Sequence, residues 1–555
     1  MARLSATDES IAPEYHMKFL PSFAVVAMSM MAMEMATAAA AETGNVIDIT
    51  PLPAWKYPQR SGALTAREMA MAKLCWLYFE NNYQSETGLV NAVNDYPSTT
   101  MWDTASYLAA LVSARELGLI DKAKFDLRLM ALLGTFTTME LFRGEMPNKA
   151  YHAKSATKAD YGNKPGEIGF SALDIGRLLI WFKILKERYP EHGNAIDRVV
   201  LRWDFRHVID KTGTLFGANV TKENKTEYLQ EGRLGYEEYA AKGFQLWGFN
   251  TARASMPAPF NMIHIYGVRV PYDMRDPREF SQHNYVVSES YVLDGVEINW
   301  DHPYDRSTDD QVHSQRWVEN FAHRVYQAQE NRFRESGILT ARSEHQLDKA
   351  PYFVYDTVYS TGYAWNTITD TGKFLPDVAA ISLKAALGMW VMWKSPYTDL
   401  LFDAIADNYD AKKGYYEGIY ENGSGPIKTQ TANNNGIMLE ALAYKVQGKL
   451  LKWGRIDGGL WESSNADPFA ENSKGRPIFV RRERQCREGR SSSLLPRLFA
   501  RASEPGCADE RETRSSGSDI NKTAFKRTPT TSESCLTCED DRFSDYSPSW
   551  LVQPR

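Results

Sequence analysis

Cysteine is scarce in this chain: there are five in 555 residues, and only Cys75 precedes position 486. A disulfide framework for the body of the protein is therefore excluded. Cys486, Cys507, Cys535 and Cys538 all fall in the last stretch. "CLTC" at 535–538 has redox or zinc-ligand spacing, but neither a second pair nor a βαβ context accompanies it. The body also lacks H-E-x-x-H, a Cys and His cluster with zinc spacing, a phosphate-cradling P-loop and a G-x-S-x-G elbow. The acidic pair in "STDDQ" (307–311) is too slight for a metal-diphosphate site. No metal and no cofactor are expected. Charge of one sign is lacking too: the formal net charge is −6, and no basic stripe follows the aromatic positions, so no nucleic-acid partner is expected.

What is present is enough apolar residue for a large core, 43% hydrophobic and 12% aromatic. After Met17 and Lys18 comes the apolar run "FLPSFAVVAMSMMAM", then the small-residue stretch "ATAAAAE". These are the three parts of a secretory signal peptide, with cleavage expected near Ala39–Ala41 and Met17 as the better initiator. The run is short for a membrane span and Glu34 interrupts it, so residues 1–41 read as an N-terminal extension and signal. The mature chain is expected in the periplasm or secreted, with no stable membrane insertion after cleavage.

From 62 to 455, Gly-rich or aromatic loops alternate with helix-patterned segments of about ten to eighteen residues. "SALDIGRLLIWFKILKERYP" and "NNNGIMLEALAYKVQGKLL" are examples. Some, such as 376–393, are apolar nearly all round and require burial on several sides; others, such as 315–334, keep a charged face. An inner ring of buried helices inside an outer ring of amphipathic ones accounts for both kinds. The fold class expected is all-α, an (α/α) barrel of about six hairpins. Strand-like pieces at 352–360 and 285–298 would sit at one rim, where function concentrates. After 470 the chain turns rich in Arg, Ser, Thr, Pro and Glu without apolar period, so 470–555 reads as a disordered or non-native tail.

Carboxylates at loop-to-helix junctions are the leading candidates for chemistry, since a pair can act as acid and base or nucleophile at an acetal. Asp103 sits where an N-cap belongs. Asp174 completes an S-x-x-D capping box with Ser171. In "LGYEEYAAKGFQLWG" (234–248), Glu238 shares a polar face with Lys242 and Gln245 and reads as solvated or paired. Glu237 shares a face with Ala240, Ala241 and Phe244, where desolvation favours the protonated acid. Glu289 and Glu297 are the next carboxylates, with strand-edge charge as their alternative reading. Tyr96, Trp102, Tyr236, Tyr239, Trp247 and Trp365 are candidate platforms for sugar rings, with core packing as the alternative.

The ordered blocks "YPSTTMWDTASYLAAL", "GEMPNKAYH", "YGNKPGEIGFSALDIGRLLIW", "GRLGYEEYAAKGFQLWG", "VVSESYVLDGVE" and "TANNNGIMLEALAYK" resemble a bacterial family filed as domain of unknown function 3131. That family is distantly similar to glucoamylase-like (α/α)6 proteins, including β-1,2-glucanases and the transglycosylation domain of cyclic β-1,2-glucan synthases. The resemblance implies an (α/α)6 toroid whose central cavity handles a glucan in the cell envelope. It supplies no catalytic pair, so the site residues rest on the reading above. The resulting expectation is a glycoside hydrolase or transglycosylase acting on a poly- or oligosaccharide. Glu237 would be general acid, and Glu289, or Asp103 or Glu297, base or nucleophile. The alternatives are a non-catalytic glycan-binding or envelope-assembly protein using the same cavity, and a toroid of lipid or peptide chemistry.

Overall fold

The computed structural model describes residues 57–280, 283–454, 458–466 and 474–479. The export segment, the four C-terminal cysteines and the stretch after 470 apart from 474–479 lie outside the described residues.

Several helices begin where the sequence supplies a side-chain cap. α1 (Ala66–Asn81) starts with a reciprocal box between Thr65 and Glu68. α2 (Met101–Glu116) starts with one between Thr100 and Asp103, and α3 (Lys122–Thr138) is capped by Asp121. Ser171 caps α4 (Ala172–Arg188), which is followed by α5 (Gly193–Val200) and α6 (Tyr236–Leu246). α7 (Glu289–Leu293) runs on into a π-helical turn, Asp294–Ile298. α8 (Arg316–Ser336), α9 (Leu383–Met392), α10 (Pro396–Ile405) and α11 (Ala432–Gln447) follow.

The all-round apolar helices form the inner layer. α2 packs on α4, α4 on α6, α6 on α7, α7 on α9, α9 on α11, and α11 back on α2. Outside them, α1 packs on α2 and α11, α3 on α2, α5 on α4, α8 on α7 and α10 on α9. Between α6 and α7 the chain makes a β-hairpin, β7 (Phe260–Ile265) with β8 (Val268–Asp273), which packs on α8. The protein is thus helix-rich with small antiparallel sheets. Two of these are β1 (Ser98–Thr100), β2 (Ala150–His152) and β3 (Thr157–Ala159), and β4 (Gly169–Phe170), β5 (Phe216–Val220) and β6 (Thr226–Gln230).

The expected strand at 352–360 is found as Phe353–Asp356 and Tyr359–Ser360. The strand-like reading of 285–298 holds only at Val286, which bridges Tyr359, because 289–298 is the inner helix α7 with its π turn. Its valines have strand propensity, but everything from Val286 to Asp301 is buried, so period 2 carries no information and packing decides.

Two glycines set the α4–α6 distance. A Cβ on Gly243 would lie 1.9 Å from the Gly176 carbonyl oxygen, and one on Gly176 would lie 2.6 Å from that of Ala240. Alanine is the better helix former by about 1 kcal/mol, yet here it meets backbone atoms that no rotamer can move. Gly243→Ala is therefore expected to lower stability by about 1–3 kcal/mol, read as a fall in urea midpoint with unchanged slope.

The ring is not apolar along its axis. Fully buried Arg177 of α4 donates to Ser106 Oγ (2.7 Å) on α2 and to Asn433 Oδ1 (3.2 Å) on α11, and its Nε lies 3.6 Å from Glu297. Trp181 and Tyr239 donate to the two oxygens of Glu297 at 2.8 and 2.5 Å. Glu440, 3.4 Å from Arg177, is pushed well above the ordinary carboxyl range by burial and by Glu297. Arg177 thus faces both carboxyl groups, and such partners are what a buried cation requires.

Candidate active site

The first turns of the six inner helices converge at one end of the ring. Glu289, the first residue of α7, accepts from Trp102 Nε1 of α2 (3.1 Å) and Asn433 Nδ2 of α11 (3.1 Å), and pairs with Lys384 Nζ of α9 (2.5 Å). The Trp102 ring lies 5.7 Å from that of Tyr236, the first residue of α6. Above this floor opens a cavity of about 630 Å³, which Asp174 in the first turn of α4 also lines. Its size is that of a small-molecule or oligosaccharide site. Three of these helix ends, those of α2, α4 and α6, contribute lining residues, and their positive ends favour anionic side chains there.

Four carboxyl groups line the cavity: Asp174, Glu231, Glu344 and Asp370. Asp174 is pushed to about 7 by burial and by Glu231. Glu231 follows β6 and takes the free amide of Ala172 at 2.5 Å, the anion position of a helix N-terminus. Gly217 on β5 leaves it room, since a Cβ there would lie 2.4 Å from Glu231 Oε2. Burial raises Glu231 as well, while Ser171 and the amides of Ala172 and Leu173 oppose that rise. Of the two, Glu231 is the better anion. Glu344 lies beside Tyr236 and is pushed to about 8 by burial and by the negative charge of Glu289.

The remaining wall is aromatic. From Trp102 and Tyr236 it continues through Tyr285 (6.0 Å between centroids) and Tyr355, stacked on Tyr285 at 4.7 Å and 16°, to Phe353 at 5.2 Å. Flat rings beside carboxyl groups suit a polyol with apolar C–H faces. Among the described residues no group of three or more His, Cys, Asp or Glu is placed to hold a metal ion, and no helix is long and apolar enough to cross a membrane.

Of the residues singled out from sequence, Trp102 and Tyr236 line the cavity. Asp174 does too; its amide donates the capping bond to Ser171 Oγ (3.1 Å), and its carboxylate accepts from the same hydroxyl (3.0 Å). Tyr96 stands at its edge, its hydroxyl donating to the Tyr161 carbonyl. Asp103 is corrected from N-cap to third helical residue: Thr100, with extended backbone, is the cap, and Asp103 answers its amide. Glu238 is not solvated and does not pair with Lys242. It is buried and accepts from the amides of Gly235 (2.6 Å) and Ala258 (2.7 Å), while Lys242 pairs with Asp294 at 2.7 Å.

Glu237 is desolvated as expected and is raised to about 6 by burial, but it is held by Arg275 at 2.8 Å and is not among the cavity-lining groups. Glu289 and Glu297 lie beneath the cavity in the ring, not on a strand edge. Three platform candidates are core. Tyr239 bonds Glu297, Trp247 donates to the Leu179 carbonyl, and Trp365 stacks under Arg332 at 4.6 Å. The sequence reading passed over Glu231, Glu344, Asp370, Tyr285, Phe353 and Tyr355. A signal existed for Glu231, which stands just before Gly232 and the helix that follows. "ARSEHQ" around Glu344 carries none.

A protein-family profile described as "Protein of unknown function (DUF3131)" matches residues 70–448. The chain belongs to this family. No curated protein sequence matches it. Among solved structures, a candidate glucoamylase from Bacteroides caccae matches with a TM-score of 0.51 at 11% identity, over 70% of this chain and 94% of its own. An endo-β-1,2-glucanase from Chitinophaga pinensis, solved with sophorotriose and glucose, matches with 0.50 at 13% identity, over 70% and 94%. A second candidate glucoamylase, from Bacteroides fragilis, matches with 0.50 at 12%, over 71% and 94%. At these identities the likeness is one of fold alone: the helix-rich body shares its fold with these structures.

The raised carboxyls set a pH dependence of stability. Glu344 (about 8) and Asp174 (about 7) stand above their ordinary values of 4.5 and 3.8, so between those limits the folded chain holds protons that the unfolded chain has lost. Their stabilising contribution is complete below pH ~4 and is lost as pH rises through ~7–8. The melting temperature is expected to fall over that rise, and Glu344→Gln to flatten its upper part. A melting temperature that climbs from pH ~5 to ~8.5 would contradict the assignment.

Proposed function

We propose that this chain is a carbohydrate-active enzyme, a glycoside hydrolase or transglycosylase acting on a β-linked glucan. Residues 62–455 would form an (α/α)6 toroid as its glucan-active domain, and the export signal would place it in the periplasm or outside the cell. One observation carries the reading: a neutral-held carboxyl, Glu344, shares one aromatic-walled cavity with the Glu231–Asp174 pair. Two carboxyl groups whose surroundings push them apart in acidity are what acid–base cleavage of an acetal needs. A β-1,2 linkage is the first to test, supported by the fold shared with the Chitinophaga pinensis endo-β-1,2-glucanase.

Glu344 would give its proton to the leaving glycosidic oxygen as the C–O bond breaks. Glu231 would take a proton from the attacking water, or from a sugar hydroxyl in transfer, with Asp174 holding the proton the pair shares. The test is release of new reducing ends from linear β-1,2-glucan and other β-glucans. On the accepted glucan, Tyr355→Ala is expected to raise KM by about 3–10-fold with kcat largely kept, because it removes stacking and no proton donor. The second reading, a glycan-binding or envelope-assembly protein, uses the same aromatic wall but gives no role to a neutral Glu344.

A further inference from the structure

Beneath the cavity, outside the set of lining groups, lies a buried ion pair that the chemistry above does not use. Glu289 and Lys384 are both nearly inaccessible, and their charged atoms are 2.5 Å apart. The remaining acceptor positions of Glu289 are filled by Trp102, Asn433 and Ser343 Oγ (3.0 Å), so it has no free lone pair to offer a substrate. Ser343 is the chain neighbour of Glu344, which binds Glu289 to the segment that carries the acid. Lys384 would, left alone, draw Glu344 into ionisation.

We propose that Glu289 is a positioning residue that keeps Glu344 protonated, by neutralising Lys384 and adding a like charge beneath it. The proposal rests on the reading of Glu344 as general acid. The groups that face Glu344 from the packed elements are Glu289 of α7, Lys384 of α9, Tyr236 of α6 and Asp174 of α4. Tyr285 and Tyr355 lie along the wall next to it. Glu417 stands on the far side of Lys384, held by Thr431 Oγ1 at 2.7 Å. Lys384 is the one cation in this set, so its pairing with Glu289 lets burial set the charge on Glu344. A glutamine at 289 keeps an acceptor oxygen for Trp102 and Asn433 but leaves the ammonium to be shared by Glu417 and Glu344.

The experiment uses the purified chain and two readouts. The first needs no substrate: the infrared carbonyl band of a neutral carboxyl, assigned to Glu344 by its loss in E344Q, is followed against pH. In the parent it is expected to vanish near pH 8. In E289Q it is expected to vanish about 1–3 pH units lower, and in E289Q–K384M to return toward the parent value, because removing both charges leaves burial as the main influence. The second readout is the alkaline limb of kcat/KM, which should move in step with the band. A merely structural role for Glu289 would cut activity or stability without moving either midpoint. If the band midpoint is the same in E289Q as in the parent, the proposal is wrong, while inactivity of E344Q would still stand for the acid. If E344Q is as active as the parent, the acid assignment itself fails.

Discussion

Glu344→Gln is expected to lower kcat on the accepted glucan by about 10²–10⁴-fold while leaving binding in place. The substitution keeps size and hydrogen-bonding reach and removes only the transferable proton. The position is built for this role and not for stability. Glu344 opens on the cavity beside Tyr236, burial and Glu289 keep it neutral to about pH 8, and Asp174 and Glu231 line the same space. Glu231→Gln should fall in the same range through loss of the base. Glu237→Gln should cost far less activity, since Glu237 spends its charge on Arg275. Single-turnover measurements with saturating glucan would separate these cases. Retention of more than about a tenth of parental kcat in Glu344→Gln would remove it from the reaction.

Arg177→Met is expected to destabilise the fold by about 3–5 kcal/mol, the largest single effect outside the cavity. The guanidinium is fully buried and ties α2 and α11 to α4 through Ser106 and Asn433, and it is the cation nearest Glu297. Methionine fills much of the volume, so the loss is electrostatic and not a cavity: the Glu297 carboxylate loses its cation and keeps only the bonds from Trp181 and Tyr239 and its contact with Glu440. Adding Glu297→Gln removes that anion, and the double variant should recover part of the loss, because a buried pair replaced as a pair costs little. Urea unfolding of the two single variants and the double variant measures this coupling. Activity should also suffer in Arg177→Met, since the guanidinium carbon sits 4.7 Å from the Trp102 ring that floors the cavity.

The layering was legible in sequence because it depends on local signals. The all-round apolar run at 376–393 marked an inner helix, and the Ser171 cap fixed another helix start. The site was much less legible, since its groups meet only through long-range packing. Glu231, Glu344 and Tyr236 come from a strand end, an extended segment and a helix start that share no local pattern. The two glutamates of "YEEY" show why. A helical wheel assigned Glu238 to solvent because it assumed one wet face, but in a closed ring of helices both faces are covered. The partner that satisfies Glu238, the Ala258 amide, lies twenty residues on in a loop that no periodicity predicts. Segment 289–298 failed for a related reason: a helix buried on every side carries no amphipathic signature, so strand propensity filled the gap.

The most direct test of an acid–base site in this cavity is time-resolved proton NMR of linear β-1,2-glucan, and of other β-glucans in parallel, with the purified chain and with Glu344→Gln. With the parent, new anomeric signals from shortened or rearranged oligosaccharides are expected to grow with time, and with Glu344→Gln the glucan resonances should broaden on binding while no new anomeric signal forms. Saturable broadening with no new signal from the parent on any glucan would contradict the account and leave a glycan-binding protein in its place.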